Sequence, residues 1–193
     1  MVRMDIIEDS LYLGGRPRNC DLPRLRKAKI KAILTVDLSP LEDAVFNSYT
    51  RLYIKLADDP SQNILSVLEE ALHFIEQNML EGAVLVHCLA GVSRSATIVI
   101  AYVMRKYRIS YNEAFHRVTR MRSVWYVVFE LIFSPNSGFI NQLKLFESMN
   151  FTVNKDSPLY KQFANKLNCP RCNAKVGSYN WCGKSFLLRA AGR

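Results

Sequence analysis

The chain has 193 residues and a mass of 22.2 kDa, which by length alone suggests one ordinary domain plus an appendage. Hydrophobic residues make up 49% and charged residues 22%, excluding a wholly disordered or collagen-like chain. The formal charge of +9 is uneven: residues 151–193 hold eight basic residues and one acidic residue, leaving +2 on residues 1–150.

These numbers narrow the class. No apolar run reaches the roughly 18 residues a membrane helix needs, and Met1 to Ile7 lacks a signal-peptide core. No membrane partner is expected, and the expected location is cytoplasmic, nuclear or both. Five cysteines in such a chain read as thiols or metal ligands rather than as a disulfide framework. The expected division is a body over 1–150 and a basic tail over 151–193. The tail is either solvated and flexible or a surface for acidic partners such as RNA.

In chain order, Leu11-Tyr12-Leu13-Gly14-Gly15 reads as a short strand ending in a glycine turn. Leu22 to Lys29 is a short helix with a basic outer face, and Ala32 to Val36 a buried strand ended by Ser39-Pro40. Leu52 to Leu56 is a further strand, and Asp58-Asp59-Pro60-Ser61 a loop. Ile64, Leu65, Leu68, Leu72, Ile75 and Met79 keep helical spacing. Ala83 to Val86 is a short apolar strand running into His87-Cys88-Leu89-Ala90-Gly91-Val92-Ser93-Arg94-Ser95. Ala96 to Tyr107 predicts a buried helix and Tyr111 to Met121 an amphipathic one. Strands alternating with helices predict an α/β domain: a central, mostly parallel sheet flanked by helices.

The loop after the last strand carries chemistry. A strand, then Cys88, then a glycine-containing turn closing on Arg94 at a helix start, makes an anion site from backbone N–H groups and a helix N-terminus. Arg94 adds a planar fork for two phosphate oxygens. The same positive field favours a Cys88 thiolate, a nucleophile for a phosphoryl group bound above it. The Ser95 hydroxyl is placed to hydrogen-bond the sulfur and ease its departure, and His87 orients the loop rather than acting as a base.

The pattern His-Cys, five residues, Arg-Ser resembles the signature of the cysteine-dependent protein tyrosine phosphatases. The run His87 to Ala96 looks most like the dual-specificity branch. The resemblance implies a shallow pocket, lined by Leu89 to Arg94, for phosphotyrosine, phosphoserine and phosphothreonine of phosphoprotein substrates. It implies no cofactor for catalysis. It also implies a general acid about thirty residues upstream of the cysteine, which falls on Asp58, with Asp59 the adjacent alternative. Ser134 to Phe139 looks like the element that opens the last helix of such domains, with Asn136 capping it and supporting the signature loop.

The tail narrows and then breaks the resemblance. Cys169-Pro170-Arg171-Cys172 and Gly177 to Trp181 are similar to part of a zinc-binding domain found in one dual-specificity subfamily. Cys172 and Cys169 form one ligand pair and Cys182 is a third ligand, one short of the usual four. Zinc sharing between molecules and an unfolded basic tail are the competing readings. The same subfamily resemblance implies a ribosome-assembly or RNA-associated role through the C-terminal region. Residues 124–133, apolar and β-branched, interrupt the family pattern, with an extra buried element as the structural expectation. A phosphatase for a non-protein phosphate is the further alternative, disfavoured by the neutral side chains of Leu89, Ala90, Val92 and Ser93.

Overall fold

The computed structural model describes residues 3–41, 44–122 and 134–166. The apolar stretch 124–133 and the three cysteines expected to bind zinc, Cys169, Cys172 and Cys182, lie outside them.

Five strands form one sheet in the order β1-β2-β5-β3-β4. They are β1 (Met4–Glu8), β2 (Leu11–Gly14), β3 (Ile30–Asp37), β4 (Thr50–Lys55) and β5 (Ala83–His87). β2, β5, β3 and β4 run parallel, and β1 pairs antiparallel with β2 at the edge. The mostly parallel sheet expected from the sequence is the one observed. The helices are α1 (Leu22–Lys27), α2 (Leu65–Asn78), α3 (Arg94–Tyr107), α4 (Tyr111–Met121), α5 (Ser137–Ser148) and α6 (Pro158–Lys166). Among the described residues no helix is long and apolar enough to cross a membrane.

The strands show why both sheet faces are covered. Along β3, Ala32, Leu34 and Val36 join the larger core cluster, while Ile33 joins the smaller one. Along β5, Val84 and Val86 face the large cluster, and Ala83 and Leu85 the small one. Strands buried on both faces read as continuous apolar runs. The larger cluster also takes side chains from α2, α3, α4 and α5. The smaller is closed by Leu25 of α1 together with Leu41 and Phe46.

Two elements escape the sequence patterns. β1 carries Asp5 and Glu8, which break the alternation expected of a strand. Asp5 is buried against Arg3 and Arg122, while Glu8 receives Lys106, Arg117 and the Tyr107 hydroxyl. A register shift between Ile6 and Glu8 obscures the period further. α6 lies beyond the expected boundary at residue 150. Packing continues there: Phe151, Val153 and Tyr160 belong to the large core cluster, and Asn63 donates to the Tyr160 hydroxyl at 3.2 Å.

α5 organises the segment that follows β4. The Gln142 side chain, 1% exposed, accepts from the Ile64 and Leu65 N–H groups at 2.9 and 3.3 Å and donates to the Gln62 carbonyl at 2.8 Å. It therefore caps α2, whose first N–H groups have no intrahelical partner. Gly138 packs so closely that an added Cβ would lie 2.0 Å from the Pro60 carbonyl oxygen. Replacing Gln142 with Leu strands these buried groups and should lower the unfolding free energy by about 2 kcal/mol, measured by urea denaturation.

Candidate active site

The C-terminal ends of β5, β3 and β4 converge on one concavity, the usual location for a site in an open parallel sheet. β5 is buried along its whole length and delivers Cys88, 1% exposed, into the turn that precedes α3. Gly91 makes the turn possible: its φ is +75°, and an added Cβ would sit 2.5 Å from the Gly14 backbone. The end of β2 braces the other side, with the Arg16 N–H donating to the Leu89 carbonyl at 3.1 Å.

Two donors meet the Cys88 sulfur: the Gly91 N–H at 3.2 Å and the Ser95 hydroxyl at 3.1 Å. Both point a hydrogen at Sγ, the geometry of donors to a sulfur acceptor. Ser93 occupies the N-cap position of α3 without capping it by its side chain. Its hydroxyl donates instead to Asp58 at 2.6 Å. The first turn of α3 thus faces the loop with no side-chain cap on its N–H groups, an arrangement suited to an anion.

Arg94 is held from the side. Its Nη1 donates to Asp37 at 2.6 Å and to the Leu56 carbonyl at 3.3 Å. Both members of the ion pair are buried. Asp37 is fixed in turn by the Leu38 N–H at 2.8 Å and by Arg16 at 3.5 Å. Arg94 Nε is buried without a hydrogen-bond acceptor among the described residues; Asp58 Oδ2 stands 3.8 Å away. Buried donors are ordinarily satisfied, so an open one in a cleft marks a place for a ligand.

Asp58, the expected acid, and Asp59, its adjacent alternative, part company in the fold. The Asp58 carboxylate accepts from Ser93 and, at 2.9 Å, from the Asn136 amide, and its side chain is 36% exposed. Asp59 turns away and holds the Ser61 N–H at 2.8 Å and the Ser61 hydroxyl at 2.5 Å, an Asx turn before α2. Asn136 serves both ends of its residue. Its side-chain oxygen accepts from the Phe139 N–H at 3.0 Å, starting α5, and its backbone N–H donates to the Ser93 hydroxyl at 3.2 Å.

His87 is fully buried. Its Nδ1 bonds the Cys88 carbonyl at 3.2 Å and its Nε2 the Thr35 hydroxyl at 2.8 Å. A carbonyl cannot donate, so the proton of the neutral ring lies on Nδ1, and Nε2 accepts from Thr35. Burial pulls the imidazole pKa down to about 4, more than the Cys88 carbonyl restores. A ring held neutral and bonded on both nitrogens orients the strand–loop junction and is not placed as a base.

Every residue singled out around the signature, Cys88 to Ser95 with His87, Asp58 and Asn136, falls within this one site. Leu89 and Ala90 are exposed at its mouth. Asp37, Thr35, Gln142 and Arg122 also support the site, although no sequence motif singles them out. Arg122 is buried at the end of α4 and donates to the Gly91 carbonyl while pairing with Asp5 at 3.0 Å. A signal existed for two of them. Thr35 and Asp37 are polar positions two apart at the end of a buried apolar strand, and so lie on one face. Among the described residues no cluster of His, Cys, Asp and Glu could hold a metal ion.

Fold and site together define a cysteine-dependent phosphatase architecture. Residues 11–149 match the family model described as dual specificity phosphatase, catalytic domain, and the chain belongs to that family. It is 36% identical over 169 residues to mouse dual specificity protein phosphatase 12, covering 86% of this chain and 48% of the relative. It is also 36% identical to dual specificity protein phosphatase MPK-4 of Drosophila melanogaster, covering 83% and 40%. Among solved structures, DUSP15 superposes with a TM-score of 0.68 at 31% identity, covering 84% of this chain and 96% of that one. The Yvh1 phosphatase domain from Chaetomium thermophilum gives 0.64 at 29%, covering 79% and 98%. The chain spans less than half the length of the two curated relatives.

The His87 environment has a consequence for stability. Below the ordinary histidine value near 6.5, the unfolded chain binds a proton that the folded site does not accept until about pH 4. Stability contributed by this residue is complete above pH 6.5 and falls as pH drops through that window, by roughly 3 kcal/mol. Urea denaturation at pH 7.5 and pH 5 should show about 2 kcal/mol of this loss, and His87→Gln should flatten the slope.

Proposed function

We propose that the protein is a phosphoprotein phosphatase that hydrolyses phosphotyrosine, phosphoserine and phosphothreonine through a cysteinyl-phosphate intermediate. The observation that carries this reading is the Cys88 sulfur held by two donors in the same turn as the open Arg94 Nε donor. A nucleophile and an oxyanion clamp are what phosphoryl transfer requires of a protein.

The reaction has two steps. The Cys88 thiolate attacks phosphorus, the bond to the leaving oxygen breaks, and Asp58 gives its proton to that oxygen. Asp58 then takes a proton from water. The resulting hydroxide attacks phosphorus, and the S–P bond breaks to release inorganic phosphate. The Ser95 hydroxyl stabilises the departing thiolate. Arg94 and the N–H groups at the start of α3 bind the equatorial oxygens in both steps. Asp37 and Asn136 position Arg94 and Asp58 respectively. No cofactor takes part.

The contact with Ser93 and Asn136 favours Asp58 over Asp59 as the acid. The neutral side chains of Leu89, Ala90 and Val92 favour a phosphorylated amino-acid side chain over a polyphosphorylated small molecule. A Zn²⁺ held through Cys169, Cys172 and Cys182, an RNA or ribosomal partner for the basic tail, and a cytoplasmic or nuclear location rest on the sequence alone.

Cys88→Ser should abolish turnover of p-nitrophenyl phosphate while retaining phosphate binding, and normal turnover by that variant would sink the nucleophile assignment. Asp58→Ala should slow hydrolysis of alkyl phosphates, which have poor leaving groups, by about 10²-fold or more. It should slow activated aryl esters far less. Asp59→Ala should show no such dependence on the leaving group, and a dependence seen only there would transfer the acid role.

A further inference from the structure

The near-neutral body conceals a charge asymmetry. From Arg16 to Lys31 the sequence holds seven basic residues and one acidic residue, a net +6, so the rest of residues 1–150 carries −4. The acidic residue, Asp21, is buried and accepts from the Arg18 N–H at 2.9 Å, so it does little to offset charge at the surface. Arg18, Arg26, Lys27, Lys29 and Lys31 are exposed. Among the described residues none of these five lies within ion-pair distance of an acidic side chain.

The cations form a track with a direction. At one end the Arg16 backbone N–H donates to the Leu89 carbonyl of the signature loop, while its guanidinium is held by Asp37 and the Ser39 carbonyl. Beside it is a cavity of about 540 Å³ between the 16–20 segment and Leu41 and Phe46. From there the track follows α1 to Lys29 and Lys31 at the start of β3, whose other end is Asp37 at the active site. An eight-residue strand spans roughly 23 Å between its end residues, the length of about seven residues of extended peptide.

We propose that this stripe is a docking track for an acidic segment of the phosphoprotein substrate, whose phosphorylated residue enters the Cys88 pocket. The proposal rests on the phosphatase reading and adds a substrate class to it. Charge complementarity selects an anionic partner, and continuity with the mouth of the site makes that partner the substrate chain itself. A single-stranded nucleic acid fits less well, because residues 16–31 contain no aromatic side chain on which bases stack. The division of labour is consistent: Arg94 and the loop N–H groups read the phosphoryl group, the neutral Leu89, Ala90 and Val92 add no charge at the mouth, and selection by charge falls to the flank.

The test uses the full chain and three phosphotyrosine peptides: one neutral, one with glutamates before the phosphorylated residue, one with glutamates after it. One acidic peptide should show kcat/KM about tenfold or more above the neutral peptide at low salt. The advantage should shrink in roughly 0.3 M salt. The triple substitution Lys27→Glu, Lys29→Glu, Lys31→Glu should abolish it, and the corresponding triple glutamine variant should weaken it. Turnover of p-nitrophenyl phosphate and of the neutral peptide should stay at wild-type level in both. An advantage that survives the substitutions overturns the proposal, as does an equal loss on all substrates. Loss of binding to a single-stranded RNA oligonucleotide with peptide selection intact also overturns it. A wild-type protein inert toward p-nitrophenyl phosphate would bring down the phosphatase reading and this proposal together.

Discussion

The buried ion pair between Arg94 and Asp37 is the constraint around which the site is built. Both groups sit below a tenth exposed, so each has lost most of its hydration. Their attraction offsets that loss only with good geometry and further hydrogen bonds. Both conditions are met, because Asp37 also accepts from the Leu38 N–H and Arg94 also donates to the Leu56 carbonyl. Such a pair is weak evidence for net stability; its consequence here is directional. With Nη1 committed to Asp37, the guanidinium cannot rotate freely, and among the described residues its Nε has no hydrogen-bond acceptor beside the loop. A phosphate meets a clamp that is already oriented, which is the form of electrostatic preorganisation that lowers barriers.

Around that pair the fold supplies second contacts whose effect is to fix positions. β3 contributes Asp37 to Arg94 and, two residues earlier, Thr35 to His87. One strand face therefore supports both ends of the signature loop. α5 does the same for the opposite wall. Asn136 joins Asp58 to Ser93, Gly138 admits Pro60, and Gln142 ties down Gln62 and the start of α2. The segment carrying Asp58 is thus held at three successive points by one helix.

What the sequence disclosed divides along physical lines. The signature loop was legible because its parts are contiguous: strand, cysteine, glycine turn, arginine and helix lie within one short stretch, and their chemistry is local. The buried strands were legible from unbroken apolar runs. Asp37, Thr35, Gln142 and Arg122 were not, because each acts on a residue 31 to 80 positions away, and pairing at that distance is set by sheet order rather than by local pattern. Asp5 and Glu8 hid β1 for the related reason that charges read as surface until a distant cation is known to cover them. The fold adds to the preference for Asp58 over Asp59, which the spacing from the cysteine suggested, because the turn sends the two neighbouring carboxylates to different partners.

The same separation bears on specificity. In the proposed reaction Cys88, Arg94 and Ser95 are buried, and the more exposed Asp58 is engaged by Ser93 and Asn136, which leaves little charge at the site with which to sort one substrate chain from another. The mouth carries Leu89 and Ala90, which offer contact without charge. If the protein acts on phosphoproteins as proposed, discrimination between them falls to surfaces the loop does not include. On this body the strongest departure from neutrality is the basic run beginning at Arg16, whose backbone already braces the loop. Among the described residues, Arg18, Arg26, Lys27, Lys29 and Lys31 of that run have no acidic side chain within ion-pair distance, so under the proposal a substrate chain leaving the pocket on that side meets a line of cations.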